Sequence, residues 1–278
     1  MSESAAATEL GAEPILTATG LRKEYGHVVA VDAVDLTVPT GGSLAIVGES
    51  GSGKTTVARM IVGLARPTAG TIVACGRDRS TPARSAAERR RRGAEIQIVF
   101  QDPYSSLNPR HSAVHTLDEV LRLHGHGGES AQSRRARVAE LGELVGLDER
   151  MLRAMPRALS GGQRQRIAIA RALAAEPRLI ILDESVAALD VSIQAQILNL
   201  LADIREQTGV SYILISHDLA VVRQLTDDAI VMHRGIVVER GPTERILDDP
   251  QDAYTKMLRA SVPGPGWKPT RRLRADAA

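Results

Sequence analysis

The sequence predicts an α/β fold: a mostly parallel core sheet, an N-terminal antiparallel β subdomain and a helical subdomain. Three observations predict it. Ser43–Val47 (SLAIV) is a short apolar run that passes through a glycine-rich turn into the helical stretch Thr55–Leu64, which is the order strand, loop, helix. From Leu179 onward strand and helix patterns alternate through Leu179–Asp183 (LIILD), Ile193–Gln207, Tyr212–Ile215 (YILI), Leu219–Leu225 and Ala229–His233, and such alternation builds parallel sheets. Nearer the start, alternating runs at Ile15–Gly20 and Val28–Val38 read as strands of a small antiparallel sheet.

Between these regions the elements follow from local composition. Residues 77–93 are rich in arginine and poor in apolar side chains, so they read as an exposed connection, and Ile96–Phe100 (IQIVF) reads as a further buried strand. Residues about 104–175 form the expected helical lobe. Helical periodicity shows at Leu117–Leu123 and at Arg134–Val145, where Val138, Leu141, Leu144 and Val145 share a face. One domain is expected over residues 15–260, with a frayed start at 1–14 and a loose Pro-, Gly- and Arg-containing tail at 261–278.

Composition narrows the function classes. The chain has 278 residues, 43% hydrophobic and 24% charged, near globular averages. A net charge of +2 supplies no broad field for a polyanion, and one Phe, one Trp and four Tyr leave little surface on which bases could stack, so nucleic-acid binding is not expected. A single cysteine, Cys75, excludes an internal disulfide and a multi-cysteine metal site and suits a reducing compartment. Residues 1–14 lack a basic and an apolar targeting segment, and no apolar run approaches the ~20 residues that span a bilayer. A membrane role is therefore expected only through partners.

Gly48 to Thr55 (GESGSGKT) fits G-x-x-x-x-G-K-[ST] and lies between a predicted strand and a predicted helix, the context that this phosphate-binding loop requires. Gly51 and Gly53 let backbone N–H groups close round phosphates, the helix start adds positive potential, Lys54 reaches the outer phosphates and Thr55 ligates magnesium. Glu49, Ser50, Ser52 and Thr56 complete the expected phosphate cradle.

The strand Leu179–Asp183 ends in two adjacent carboxylates, Asp183 and Glu184. Side chains alternate along a strand, so the two serve different tasks: Asp183 faces the magnesium, and Glu184 faces the γ-phosphate, where it can accept a proton from an attacking water. By itself such a pair also fits an ordinary solvated strand end. Ser160, Gly161, Gly162 and Gln163 (in LSGGQ) precede the strong helix former Arg164–Ala175, which reads either as a plain N-cap or as a second anion site.

Taken in order, the phosphate loop, LSGGQ, the acidic strand end and His217 in ISHDL resemble the ATPase subunits of ABC transporters over about residues 15–260. The resemblance implies a head-to-tail dimer that sandwiches ATP and Mg2+ between the phosphate loop of one subunit and LSGGQ of the other. It implies that Tyr25 in KEYGH stacks on adenine and that Gln101 in FQDPYSS touches magnesium, which Thr55 and Asp183 also hold. Glu184 and His217 become the catalytic pair, and Asp190 carries communication across the dimer. Many relatives place a proline where this chain has Ser185, which puts the stiffness of that loop in question.

QDPYSSLNPR from Gln101, LDVSIQAQILNLL from Leu189 and the segment Gly241–Leu258 resemble more narrowly the importer ATPases of the oligopeptide, dipeptide and nickel group, most of all their second, F-type ATPase. This implies a second ATPase subunit in a heterodimer, with a homodimer as the alternative, two transmembrane permease subunits and, indirectly, an extracytoplasmic solute-binding protein. The place implied is the cytoplasmic face of the cell membrane. Cys75 alone cannot carry the iron–sulfur cluster found in some members of the group. Arg89–Arg92 reads as a solvated face, His124 and His126 as a loop, Arg271, Arg272 and Arg274 as a tail that could meet anionic lipid, and Cys75 as a packed small side chain.

Overall fold

The computed structural model describes residues 13–102, 107–125, 130–187 and 189–260. The expectations for the start of the chain, the C-terminal tail and His126 fall wholly or largely outside the described residues. Among the described residues the strands form two sheets. The first is antiparallel, in the order β2-β1-β4-β5, and comprises β1 (Leu16–Tyr25), β2 (Val28–Val38), β4 (Ala69–Ala74) and β5 (Arg77–Asp78).

The second runs β10-β9-β3-β8-β7-β6, from β3 (Ser43–Val47), β6 (Ile96–Val99), β7 (Leu179–Asp183), β8 (Ser211–Ser216), β9 (Asp228–His233) and β10 (Ile236–Pro242). All of its pairings are parallel except that of β10 with β9. The mostly parallel core and the antiparallel N-terminal sheet are as the sequence predicts.

The central strands show why a continuous apolar run is needed there. Every residue of β3, β7 and β8 is buried. Alternate side chains serve opposite cores: Leu44, Ile46, Leu179, Ile181, Ile213 and Ile215 join the cluster shared with the antiparallel sheet. Their neighbours Ala45, Val47, Ile180, Leu182, Tyr212 and Leu214 join the cluster shared with the helical lobe. A sheet covered on both faces hides its polar edge groups in the ladder and leaves no solvent-facing stripe.

The helices start where short polar side chains can take up free backbone donors. Ser85, Ser112, Ser130, Asp148 and Ser160 each accept from the N–H three residues on, opening α2 (Ala86–Glu95), α3 (Ala113–His124), α4 (Ala131–Leu144), α5 (Glu149–Arg153) and α6 (Gly161–Leu173). α3 to α6 form the helical lobe, and Leu117, Leu121, Val138, Leu141 and Val145 supply its core. Leu144 is half-buried and packs against that core.

The Arg-rich stretch departs from expectation. It is exposed, but its second half is helical: α2 has no buried residue and is held by the Ser85 cap, the Arg92–Glu88 ion pair and the contact of Arg79 with Glu95. Good helix formers suffice without an apolar stripe. The helix after the phosphate loop, α1 (Lys54–Ile61), also ends earlier than its pattern suggests, at a turn through Gly63 with φ +81°.

The remaining helices are α7 (Val191–Thr208), α8 (Leu219–Leu225), α9 (Thr243–Asp248) and α10 (Ala253–Ala260). Cys75 is buried as expected, and burial raises its thiol pKa. No helix among the described residues is long and apolar enough to cross a membrane.

Candidate nucleotide site

The parallel strands converge on one edge at their carboxyl ends, where open α/β sheets place their sites. β3 runs into the glycine loop, β7 ends at Asp183, β8 leads to His217, and β6 leads to Gln101. The loop's turns depend on glycine. At Gly48 (φ +151°) a Cβ would come 2.2 Å from the Met232 carbonyl oxygen, and at Gly53 (φ +103°) one would come 2.5 Å from that of Ala30. Gly51 has φ +81° with open space around it, so there the requirement is conformational alone.

α1 starts on Gly53 with no side-chain cap, leaving its first N–H groups directed at whatever occupies the loop. Lys54 is buried at 5% exposure, and its Nζ donates to the carbonyls of Gly48 and Glu49, each at 2.8 Å, and to Ser52 Oγ at 3.5 Å. Burial lowers its pKa, opposed by Glu184, Asp183 and Glu49.

Asp183 is also buried, and Thr55 Oγ1 donates to its Oδ1 at 3.3 Å. Burial raises its carboxyl pKa above the usual carboxylate range, against the pull of that hydrogen bond. Glu184 takes φ +48°, its N–H donates to the Ile215 carbonyl at 2.9 Å, and its Oε1 lies 3.4 Å from Nδ1 of the exposed His217. Left-handed backbone at a non-glycine residue is uncommon, and Glu184 shares it with Ala33, Cys75, Glu176 and Arg234, so here it marks the sharp turn at the strand end.

Glu184 lines an open cavity of about 170 Å³ together with Ala30, Ser50, Gly51, Gly53, Lys54, Thr55 and Thr56. The loop, the buried carboxylate and the carboxylate above it are thus brought together. Lys54 supplies an ammonium and Thr55 a hydroxyl to this lining, and Asp183 joins it through its hydrogen bond with Thr55.

Other expected site residues do not line this cavity. Tyr25 ends β1, half exposed, with Lys23 Nζ 4.8 Å from its ring centroid, and Gln101 lies exposed beyond β6. Ser160 and Gln163 form a reciprocal cap: Ser160 Oγ accepts from the Gln163 N–H at 3.3 Å, and Gln163 Oε1 accepts from the Ser160 N–H at 2.9 Å. A Cβ on Gly162 would come 2.6 Å from Ile193 Cγ2, so its glycine serves close packing of α6 on α7, whereas one on Gly161 would meet only Leu189 at 3.6 Å. Asp190 is exposed at the start of α7 and makes no cap bond. Ser185, in the proline position, is buried, and the turn is closed instead by the Ala187 N–H donating to the Glu184 carbonyl at 3.1 Å.

Two supports of the loop escape sequence reading. The Gly235 N–H donates to the Ser52 carbonyl at 3.1 Å while its own carbonyl accepts from the Asp32 N–H at 2.8 Å, so the β9–β10 turn braces the loop against β2. From α10, the Tyr254 hydroxyl accepts from the Glu49 N–H at 3.0 Å, and its ring packs on His233 at a centroid distance of 4.0 Å. The only local hint is the Arg234–Gly235 turn; the partners themselves lie far away in sequence.

Fold and site together define a P-loop nucleotide-binding cassette. The family model described as ABC transporter matches residues 31–187, and the chain belongs to that family. It is 47% identical over 91% of its length to the oligopeptide transport ATP-binding protein OppD of Mycobacterium tuberculosis, but spans only 40% of that longer relative. A putative peptide import ATP-binding protein of Brucella abortus is 48% identical over 88% of this chain and 73% of its own length. The oligopeptide transport ATP-binding protein OppF of Lactococcus lactis is 44% identical over 85% and 73%. Among solved structures, the dimeric post-hydrolysis ATP-binding cassette MJ0796 bound to ADP and Pi is similar at TM-score 0.73 and 30% identity, covering 82% of this chain and 98% of that one. The cbiO1 subunit from Clostridium perfringens, part of an ABC transporter complex, is similar at TM-score 0.76 and 27% identity, covering 85% and 91%.

Proposed function

We propose that the chain binds and hydrolyses ATP as the energising subunit of an ABC importer for peptides or related small solutes. The observation that carries this reading is the convergence of the glycine loop, Lys54, Thr55 and Glu184 on one cavity, with Asp183 hydrogen-bonded to Thr55. The transport names of the relatives support the cargo class.

In this reading the backbone N–H groups of the loop and of the α1 start bind the β- and γ-phosphates, and Lys54 exchanges its carbonyl partners for phosphate oxygens. Thr55, Asp183 and Gln101 hold the magnesium, which when bound neutralises charge on the phosphate oxygens. Glu184 accepts a proton from the attacking water as its oxygen bonds to the γ-phosphorus and the bond to ADP breaks, and His217 holds the Glu184 side of the site in place. Tyr25 supplies a face for adenine. Ser160 to Gln163 and Asp190, away from the cavity of their own chain, act on the nucleotide of a partner ATPase in a head-to-tail dimer.

That partner is a second, different ATPase, and both stand on two permease subunits at the cytoplasmic membrane face. The test is mass spectrometry of what co-purifies with tagged Glu184→Gln chain from solubilised native membranes with ATP and magnesium. Recovery of two permease subunits and a second ATPase is expected. Recovery of ribosomes, repair factors or a soluble self-dimer alone would contradict it.

A further inference from the structure

The entrance of the helical lobe carries a cluster that the nucleotide site does not use. His111, in the turn before α3, and His115 and Glu119, on successive turns of that helix, place one ligating atom each within 4.8 Å of one another. His111 Nδ1 lies 3.9 Å from Glu119 Oε2, and the two imidazole rings meet at a centroid distance of 4.1 Å with a 62° angle. The four-residue spacing from His115 to Glu119 stacks both side chains on one helix face.

We propose that His111, His115 and Glu119 bind a divalent transition-metal cation of the zinc class. Two imidazoles and one carboxylate are a three-ligand set that zinc accepts, with a fourth position left to water. Tetrahedral ligation at ~2.1 Å would bring the donor atoms to about 3.4 Å from one another, and the exposed side chains of His115 and Glu119 can close that gap by rotation.

His111 turns Nδ1 toward Glu119 while its Nε2 lies 3.4 Å from the Asn108 amide nitrogen, a donor, so Nε2 accepts in that contact, and an ion on Nδ1 would shift the ring proton to Nε2 and break it. Asn108 is itself fixed, its Oδ1 accepting from the Arg110 N–H at 3.0 Å and its carbonyl from the His111 N–H at 3.1 Å. Of the cations beside the cluster, Arg122 is paired with Asp118 at 2.8 Å, and Arg90 lines the same cavity as His115 and Glu119. An ion there would staple the turn at Asn108 to the first two turns of α3.

The test is a titration of the untagged, metal-stripped full chain with Zn2+ against a chromophoric chelator, repeated with Co2+ to read its visible spectrum. One equivalent is expected, with the strong absorption of tetrahedral Co2+. His115→Ala and Glu119→Gln should each weaken binding more than about tenfold, since even outer partners of metal ligands are worth ~10–100-fold. His124→Ala should leave it unchanged. Both ligand positions are exposed, so neither substitution removes core packing, and circular dichroism checks the fold. Absence of stoichiometric binding, or binding that survives both ligand substitutions, would overturn the assignment.

Discussion

The backbone N–H of Glu49, inside the phosphate loop, donates to the hydroxyl of Tyr254 at 3.0 Å, across 205 residues of sequence. α10 thereby holds one wall of the loop, and the tilted contact with His233 fixes the tyrosine ring. Tyr254→Phe keeps the ring and removes the acceptor. Losing one such hydrogen bond costs about 1 kcal/mol, so the KM for ATP should rise about fivefold with kcat little changed, as steady-state ATPase kinetics would show.

Gly48 has no room for a side chain, because a Cβ there would press on the Met232 carbonyl at 2.2 Å. Gly48→Ala should lower the melting midpoint and abolish nucleotide binding, whereas Gly51→Ala, with open space at its Cβ, should carry only the φ penalty of ~1–2 kcal/mol. Equal losses in calorimetry and nucleotide titration would contradict the steric account.

Gly162 is held to glycine by Ile193 of α7. Gly162→Ala should destabilise by about 1–3 kcal/mol through overpacking. Adding Ile193→Ala, which removes the opposing methyl, should recover part of that loss in denaturant unfolding. Additive losses in the double variant would mean that the two side chains do not meet.

Asp183 is strained by its burial in a way that pH reveals. Its folded pKa is raised, so the fold favours the protonated carboxyl; stability is fully present below the ordinary value near 3.9 and falls as pH rises through the folded value. Asp183→Asn, a neutral mimic, should therefore melt higher than the parent chain at pH 7 without nucleotide or magnesium, and lose that advantage at strongly acidic pH. The same variant should lose ATPase activity. A lower midpoint at pH 7 would show that charge on Asp183 stabilises the ligand-free chain.

How much was legible in the sequence depended on whether the signal was local. The glycine loop, Asp183, Glu184 and His217 each follow an apolar strand, so the parallel sheet that aligns those strands also aligns the site. The helical character of Ala86–Glu95 rests on a serine cap and ion pairs and leaves no apolar periodicity in the sequence. Tyr254 and Gly235 have partners distant in the chain, and a lone tyrosine or a turn glycine carries no sign of such a contact. Ser160 and Gln163 satisfy each other as a cap and do not line the cavity, so the local pattern reads as an ordinary helix start.

Glu184 lines the cavity beside Lys54 and Thr55, and its Oε1 lies 3.4 Å from His217 Nδ1, which makes it the residue for the proposed proton transfer. The most direct measurement is ATP turnover by Glu184→Gln at matched nucleotide occupancy, with the oligomeric state read alongside. Retained ATP binding, an accumulated closed dimer and turnover lower by ~10²–10⁴-fold, the usual worth of a general base, are expected. Turnover equal to that of the unmodified chain at the same occupancy would contradict the proton-transfer role of Glu184.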